Sequence, residues 1–580
     1  MKTFSDQRSA QPSLACSIIW VLGLAASLYL CFQPEIASGF RFLYGDYFDT
    51  EIETAILEHW YNVFSGLQRW TETGYFFPHS DTLGYNDGYF IYGVIYSCIR
   101  AFSVDPFVST SLTHIVVKAV GYVGMFSLLR RFRLTFAASL LGAILFTIAG
   151  NSNNQIAHGQ LLSVAFSPIV AISLMRCREA FTRAEYRKLL LHSAVLAIVF
   201  DAWMLTSFYM AWFFAFFCMA LAGVALACAH ATEIRKVWNA IRAAWRPLLL
   251  CVLPMIVLII PFLIVYLPKA RETGMHPVGT AIAHSLFPLD LFNVGDRNFA
   301  WSRFFNFLHD SIAPGTDAGG EHITGFPILM IILAVAGTLY FKVKKSHGKS
   351  QEFTANKFLF CMGLAALISW FAVVKFGSFS PWRVLYFIVP GAKGIRIISR
   401  YQIFLTLPLL IIGISYLDRL RFYVPKVILF FLGAVLIGES VNSMQSLTLN
   451  TAEQNRMLAA ISPVPASCDS FFVVNARGTA LAGNPEVLSL YPHNVDAMLL
   501  TAYFRIPTMN GFSTFNPSDW DFSNSTSPDY VARAKAYAER HNLRGVCSLD
   551  ATKPEKWNQA PFTPDMQADV GIPRVPTLTN

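Results

Sequence analysis

Apolar residues in this chain come in long blocks rather than in the one-face or alternating patterns of a soluble protein. Eleven runs are of about the 17–25 residue length that crosses a bilayer as a helix. They are Leu14 to Phe32, Phe107 to Leu129, Leu134 to Gly150, Gln160 to Met175, Leu189 to Ser207, Phe208 to Ala229, Leu248 to Leu267, Phe326 to Phe341, Phe358 to Val374, Tyr401 to Leu417 and Tyr423 to Gly438. A further run, "YFIYGVIYSCIRAF" from Tyr89 to Phe102, is apolar but short, and it predicts a helix lying in or dipping into the membrane surface. The first run lacks a small-residue cleavage site, so it predicts a retained helix rather than a removed signal peptide.

Composition fits this pattern. The chain is 54% hydrophobic and only 14% charged, with a mean hydropathy of +0.45, whereas about a quarter of the residues of a soluble domain are charged. An α-helical polytopic membrane protein follows. The net charge of +9 carries no nucleic-acid signal, because the basic residues sit in short clusters between apolar runs. With Lys2 and Arg8 inside, the clusters "RRFR" at Arg130, "RCREAFTRAEYRK" at Arg176, "EIRKVWNAIRAAWR" at Glu233, "KVKK" at Lys342 and "DRLR" at Asp418 all fall inside too. Counting Tyr89 to Phe102 as a span would move most of them outside. The expected arrangement is therefore eleven spans in a bacterial cytoplasmic membrane, with residues 33–106, 268–325, 376–400 and everything after about Glu439 on the outer side.

Character changes after the last run, which divides the chain into a membrane domain, 1–440, and an extracytoplasmic region, 441–580. Strand-like "SFFVV" at Ser470, helix-like "PDYVARAKAYAERHN" at Pro528 and strand-like "GVCSLD" at Gly545 predict a small α/β domain ending in a proline-rich tail without a core. Eight of the ten cysteines lie in or beside apolar runs. Cys468 and Cys547 stand alone in the polar region, where an oxidising compartment favours a disulfide. Two separate buried thiols are the alternative.

The scarce acids concentrate in "YGDYFDTEIETAILEHW", just after the first run. Asp46 and Asp49 leave the bilayer among Tyr44, Gly45, Tyr47 and Phe48, a setting in which carboxylates are usually used. Glu51, Glu53 and Glu58 suit a solvated helix face, His59 could pack on a sugar or the interface, and Trp60 suits a headgroup anchor. Asp201, near the outer end of its run, and His158, opening "HGQLL", read as cavity-lining groups, although His158 equally suits a helix end. Lys118 lies mid-run, one turn after His114, where an acid elsewhere could pair with it. In "PWRVLYFIVPGAKGIRIISRYQIF", Arg396 and Arg400 are spaced to share a helix face, with Arg383 and Lys393 upstream. Arginine forks suit a lipid-linked phosphate, or ordinary lipid phosphates.

Several features in order resemble the GT-C superfamily of integral membrane glycosyltransferases. They are the acidic "GDYFD" opening a long first external loop, "FFPHSDTLGYND" between interfacial helices, a span closed by "RRFR", Glu321 in "GGEHITGF" of a later loop, basic "PGAKGIRIISR" at a membrane boundary, and a C-terminal external domain. The resemblance covers about the first 440 residues. It implies inverting transfer of a sugar from a polyprenyl phosphate or diphosphate, on the outer face, to a cell-envelope glycan, lipid or protein. It also implies Asp46 as general base, taking the acceptor's proton, with Asp49 as helper or metal ligand. In members that use a divalent cation, Mg²⁺ or Mn²⁺, the counterpart set here is Asp46, Asp87 and Glu321, although the DxD spacing of some members is missing. A transporter or flippase is the alternative, but no pseudo-symmetric halves are visible. A polysaccharide polymerase or ligase would carry its large loop late in the chain.

Overall fold

The computed structural model describes residues 13–45, 49–343, 350–442, 449–477, 485–513, 515–553 and 556–558. All eleven predicted runs are helical within it. Among the described residues, eight helices are long and apolar enough to cross a membrane: Leu14–Ala37, Pro106–Arg131, Phe136–Asn153, Gly159–Thr182, Tyr186–Thr206, Phe208–Ala227, Thr354–Val373 and Ile398–Leu420. The other three runs form shorter helices. The run from Leu248 is divided between Trp245–Leu258 and Ile260–Thr273, the break falling just before Pro261, which has no N–H to continue the ladder. Ile328–Val343 and Lys426–Ser440 have 16 and 15 residues. Trp245–Leu258 is bent by 79° from the preceding Ala231–Ala243.

Ile398–Leu420 is the most enclosed of these helices, 78% buried, against 17% for Leu14–Ala37. Ile398, Ser399 and Arg400 at its start are themselves buried. The short apolar run forms Phe90–Arg100, 11 residues long, burying Tyr92, Gly93, Tyr96 and Ser97. Pro106–Arg131 begins where Asp105 caps it, its Oδ1 accepting from the Val108 amide at 2.9 Å, with Pro106 in the first turn.

Beyond the bundle, β1 (Phe42–Leu43) pairs antiparallel with β2 (Leu449–Asn450), joining the exit of the first helix to the segment after the last. A second sheet has β3 (Ser470–Asn475) parallel to β4 (Val546–Asp550), with β5 (Trp557–Asn558) antiparallel on β4's other side. Both expected strands and the expected helix, Tyr530–Arg540, are present. Cys468 and Cys547 are disulfide-bonded. A helix the sequence did not announce, Pro485–Phe504, packs on Asp49–Phe64, where the Asn62 side chain donates to the Ala502 carbonyl at 2.7 Å. The core here is shared: Leu43, Tyr75, Phe76 and Tyr85 pack with Phe471, Met498, Leu500 and Cys547.

The acidic helix departs from expectation. Glu51, Glu53 and Glu58 on Asp49–Phe64 are all buried, and each faces a basic side chain from elsewhere. Arg100 grips Glu58 through Nε and Nη2, both at 2.9 Å, while Tyr96 donates to it at 2.6 Å. His114 meets Glu53 at 2.8 Å, and Arg477 reaches Glu51 at 3.4 Å. Buried carboxylates need such partners, because desolvation otherwise costs more than burial returns. Trp60 is buried too, donating to the Gly88 carbonyl at 2.6 Å, so it anchors the first loop and not a headgroup. Among the described residues Lys118 pairs with no acid. It donates to the Thr147 carbonyl, Ser152 and Asn153 at 2.6–3.1 Å.

Candidate active site

Four ionisable side chains from distant parts of the chain meet where Tyr401–Leu420 begins. Asp49 opens the Asp49–Phe64 helix, and its Oδ2 lies 3.3 Å from His158 Nδ1. His158 Nε2 in turn lies 3.6 Å from Glu321 Oε1. Glu321 is held by Arg400, whose Nε and Nη2 donate to its two oxygens at 2.8 and 2.5 Å. The result is a continuous line, Asp49, His158, Glu321, Arg400, with Arg400 buried at one end.

Local structure fixes each member. The chain leaving the first helix turns at Gly45, whose φ of +121° is rarely open to other residues and which has the Thr50 side chain against it. Buried Glu35 pins that turn, accepting from the Tyr44 amide at 2.8 Å and from Ser111 at 3.0 Å. His158 precedes Gly159, where a Cβ would collide with Glu53 and His114. Glycine alone lets this backbone come so close, and the Gly159 carbonyl there accepts from Tyr92 at 3.0 Å. Glu321 sits in the short turn Gly320–His322. Gln155 donates to the Gly320 carbonyl at 3.0 Å, and His322 meets buried Asp290 at 2.7 Å. Thr324 donates to the Ser399 carbonyl at 3.3 Å, tying that turn to the Arg400 segment.

Arg396 and Arg400 do not share a helix face. Residues 395 and 397 are extended and a 3₁₀ turn, Ile398–Arg400, precedes the helix; β-branched Ile395, Ile397 and Ile398 favour this over a continuous helix. The two arginine segments still meet at Tyr209. The Arg396 amide donates to Tyr209 Oη at 2.8 Å, and the Arg400 guanidinium lies 5.9 Å from the same ring. Among the described residues the Arg396 guanidinium makes no hydrogen bond, whereas Arg400 is committed to Glu321. Lys393 is exposed, its Nζ 5.8 and 5.7 Å from the Tyr386 and Phe387 rings.

Charge states follow from these surroundings. Burial, reinforced by Arg400 and Arg396, pushes His158 down to about 4 against the pull of Glu321, so its ring is neutral. Burial acts upward on Glu321, but the Arg400 charge and hydrogen bonds outweigh it and hold the carboxyl below its usual range. Asp87 is raised to about 6 by burial, opposed by the Phe208 amide and by Arg400. It accepts from that amide at 3.3 Å and so caps the Phe208–Ala227 helix from outside it.

Of the other expected residues, Asp46 lies outside the described residues. Of its expected metal partners, Asp87 is bonded to a helix end and Glu321 to Arg400, so a cation would have to compete with a guanidinium for Glu321. His59 is buried, bonded to the Trp70 carbonyl at 3.1 Å, and faces no open site. Asp201 is buried with both carboxylate oxygens unpartnered among the described residues, apart from the line of four. Tyr209, which accepts from the Arg396 amide and lies beside the Arg400 guanidinium, carried no sequence signal beyond being one aromatic in an apolar run.

No protein-family model matches the chain, and no curated protein matches it. Among solved structures it is similar to the crystal structure of ArnT from Cupriavidus metallidurans bound to undecaprenyl phosphate. The identity is 13% and the TM-score 0.30, over 85% of this chain and 84% of that one. At that TM-score the likeness carries no functional argument.

Proposed function

We propose that this protein is a GT-C-type membrane glycosyltransferase that takes a sugar from a polyprenyl phosphate or diphosphate and passes it to a cell-envelope acceptor on the extracytoplasmic face. The observation that carries the reading is that Arg396, whose guanidinium makes no hydrogen bond among the described residues, is close enough for its charge to act on His158 and Glu321, in a line that also includes Asp49 of the "GDYFD" segment. Inverting transfer needs those two poles. A carboxylate, Asp46 or Asp49, takes the proton from the acceptor hydroxyl as its oxygen attacks the anomeric carbon. The bond from that carbon to the phosphate oxygen breaks, and the phosphate leaves with its electron pair towards the arginines. Neutral His158 holds Asp49, and Glu321 holds Arg400 in place beside the phosphate. A cation on Asp46, Asp87 and Glu321 would supply further charge neutralisation to the phosphate.

Arg396→Ala tests the donor pole. Sugar transfer in membranes should show KM for the polyprenyl-linked donor raised at least tenfold, and Arg396→Lys should recover only part of it because the planar fork is lost. Unchanged donor KM in both variants would remove Arg396 from the site. A flippase is distinguished by the product: it moves the intact carrier-linked sugar and forms no new glycosidic bond.

A further inference from the structure

Away from the line of four, a second cluster joins the first loop to the C-terminal region. His79 Nε2 lies 3.2 Å from Asp519 Oδ1, and His541 Nε2 lies 2.6 Å from Asp519 Oδ2. The three ligand atoms fall within 4.8 Å of one another, the one such group of histidine, cysteine and carboxylate side chains among the described residues. Each side chain is between one fifth and just over one quarter exposed, so the cluster is reachable from solvent. We propose that His79, Asp519 and His541 bind a divalent transition-metal ion of the Zn²⁺ class, which clamps the first loop to the C-terminal region.

The chemistry of the donor set selects the ion. Two imidazole nitrogens and one carboxylate suit Zn²⁺ and its neighbours, whereas Mg²⁺ and Ca²⁺ prefer oxygen throughout. A tetrahedral ion with bonds of about 2.0–2.1 Å spaces its ligand atoms about 3.3 Å apart. The His79 pair is already at 3.2 Å. The His541 pair has to open from 2.6 Å, by about 0.7 Å, a side-chain rotation at this geometry.

Backbone holds the ligands in position. His541 is the cap residue of the Tyr530–Arg540 helix, with the Tyr537 ring 4.5 Å away. The His79 amide bonds to the Phe76 carbonyl at 2.9 Å. Arg540 Nη1 lies 3.8 Å from Asp519 Oδ2. The Glu272 carboxylate also acts electrostatically on His79, while it accepts from Tyr85 and Lys269. His79 and Asp519 are 440 residues apart, so an ion shared by them converts binding free energy into attachment of two distant segments.

The test uses the full chain in detergent, without a polyhistidine tag, stripped with EDTA, exposed to ZnCl₂ and dialysed. Mass-spectrometric metal analysis should find about one Zn²⁺ per wild-type chain, and none after MgCl₂ takes the place of ZnCl₂ beyond background magnesium. His79→Ala and His541→Ala should each lose the ion and the rise in Tm that Zn²⁺ gives the wild type. Wild type that keeps no Zn²⁺, or both variants keeping it in full, overturns the proposal. Should the variants fail to fold, Co²⁺-loaded wild type decides alone: a visible d–d spectrum without thiolate charge transfer supports the imidazole and carboxylate set, and a thiolate band, which would place the ion on cysteine, overturns it.

Discussion

Asp87 offers the clearest handle on charge at the level of single residues. Burial raises its folded-state pKa to about 6, above the roughly 3.9 of an unfolded aspartate. The folded chain therefore holds this proton more tightly than the unfolded one. Its contribution to stability is fully present below about pH 4 and is lost as the pH rises through about 6. Detergent-solubilised wild type should lose Tm across that window, and Asp87→Asn, which keeps a hydrogen-bond acceptor for the Phe208 amide but does not titrate, should flatten the slope. An identical slope in the variant would contradict the buried, titrating carboxyl. His158 behaves in the opposite sense. Held near 4, it stays neutral above that value, so its own titration should place no inflection in activity between about pH 6 and 8.

Helices were legible in the sequence because apolar runs report burial in lipid or core directly; their pairings were not. All eleven runs became helices, and the run from Tyr89 stayed short. The faces of Asp49–Phe64 were misread, since burial of Glu51, Glu53 and Glu58 depends on basic side chains 426, 61 and 42 positions away. No local pattern announces such partners. The Arg396 and Arg400 spacing misled for the converse reason: an i, i+4 count assumes a helix that the β-branched residues between them do not form. Asp49, His158, Glu321 and Arg400 were each singled out, but their order in one line came only from the fold. The buried pair on Asp49–Phe64 gives a measurable consequence. Glu58→Ala strands Arg100 in a site where it is 16% exposed, and breaking one partner of a buried pair costs about 3–5 kcal/mol. Glu58→Ala together with Arg100→Met should recover much of that loss in a denaturation series, and equal losses for single and double variants would show the pair is not coupled.

Across the whole molecule, the site lies where the first loop, the later Glu321 turn and the start of the central helix converge, with the C-terminal region packed on the first loop. The basic clusters predict that the opposite end of the bundle faces the cytoplasm. Reporter fusions after Arg131 and Lys345 should therefore read cytoplasmic, and fusions after Gly320 and Ser467 external; a cytoplasmic reading at Ser467 would overturn the orientation and with it an outer-face reaction. The Cys468–Cys547 disulfide agrees with an oxidising compartment on that side. The central claim is sugar transfer driven by a carboxylate of "GDYFD". Its most direct test measures transfer from a polyprenyl-linked sugar in membranes carrying matched amounts of wild type, Asp46→Asn and Asp49→Asn. The account predicts transfer by the wild type and a fall of about two to four orders of magnitude in Asp46→Asn, the range of a lost general base, with a smaller fall in Asp49→Asn if that residue only orients its neighbour. Full wild-type rates in both variants, or no glycosidic product from the wild type, would contradict it.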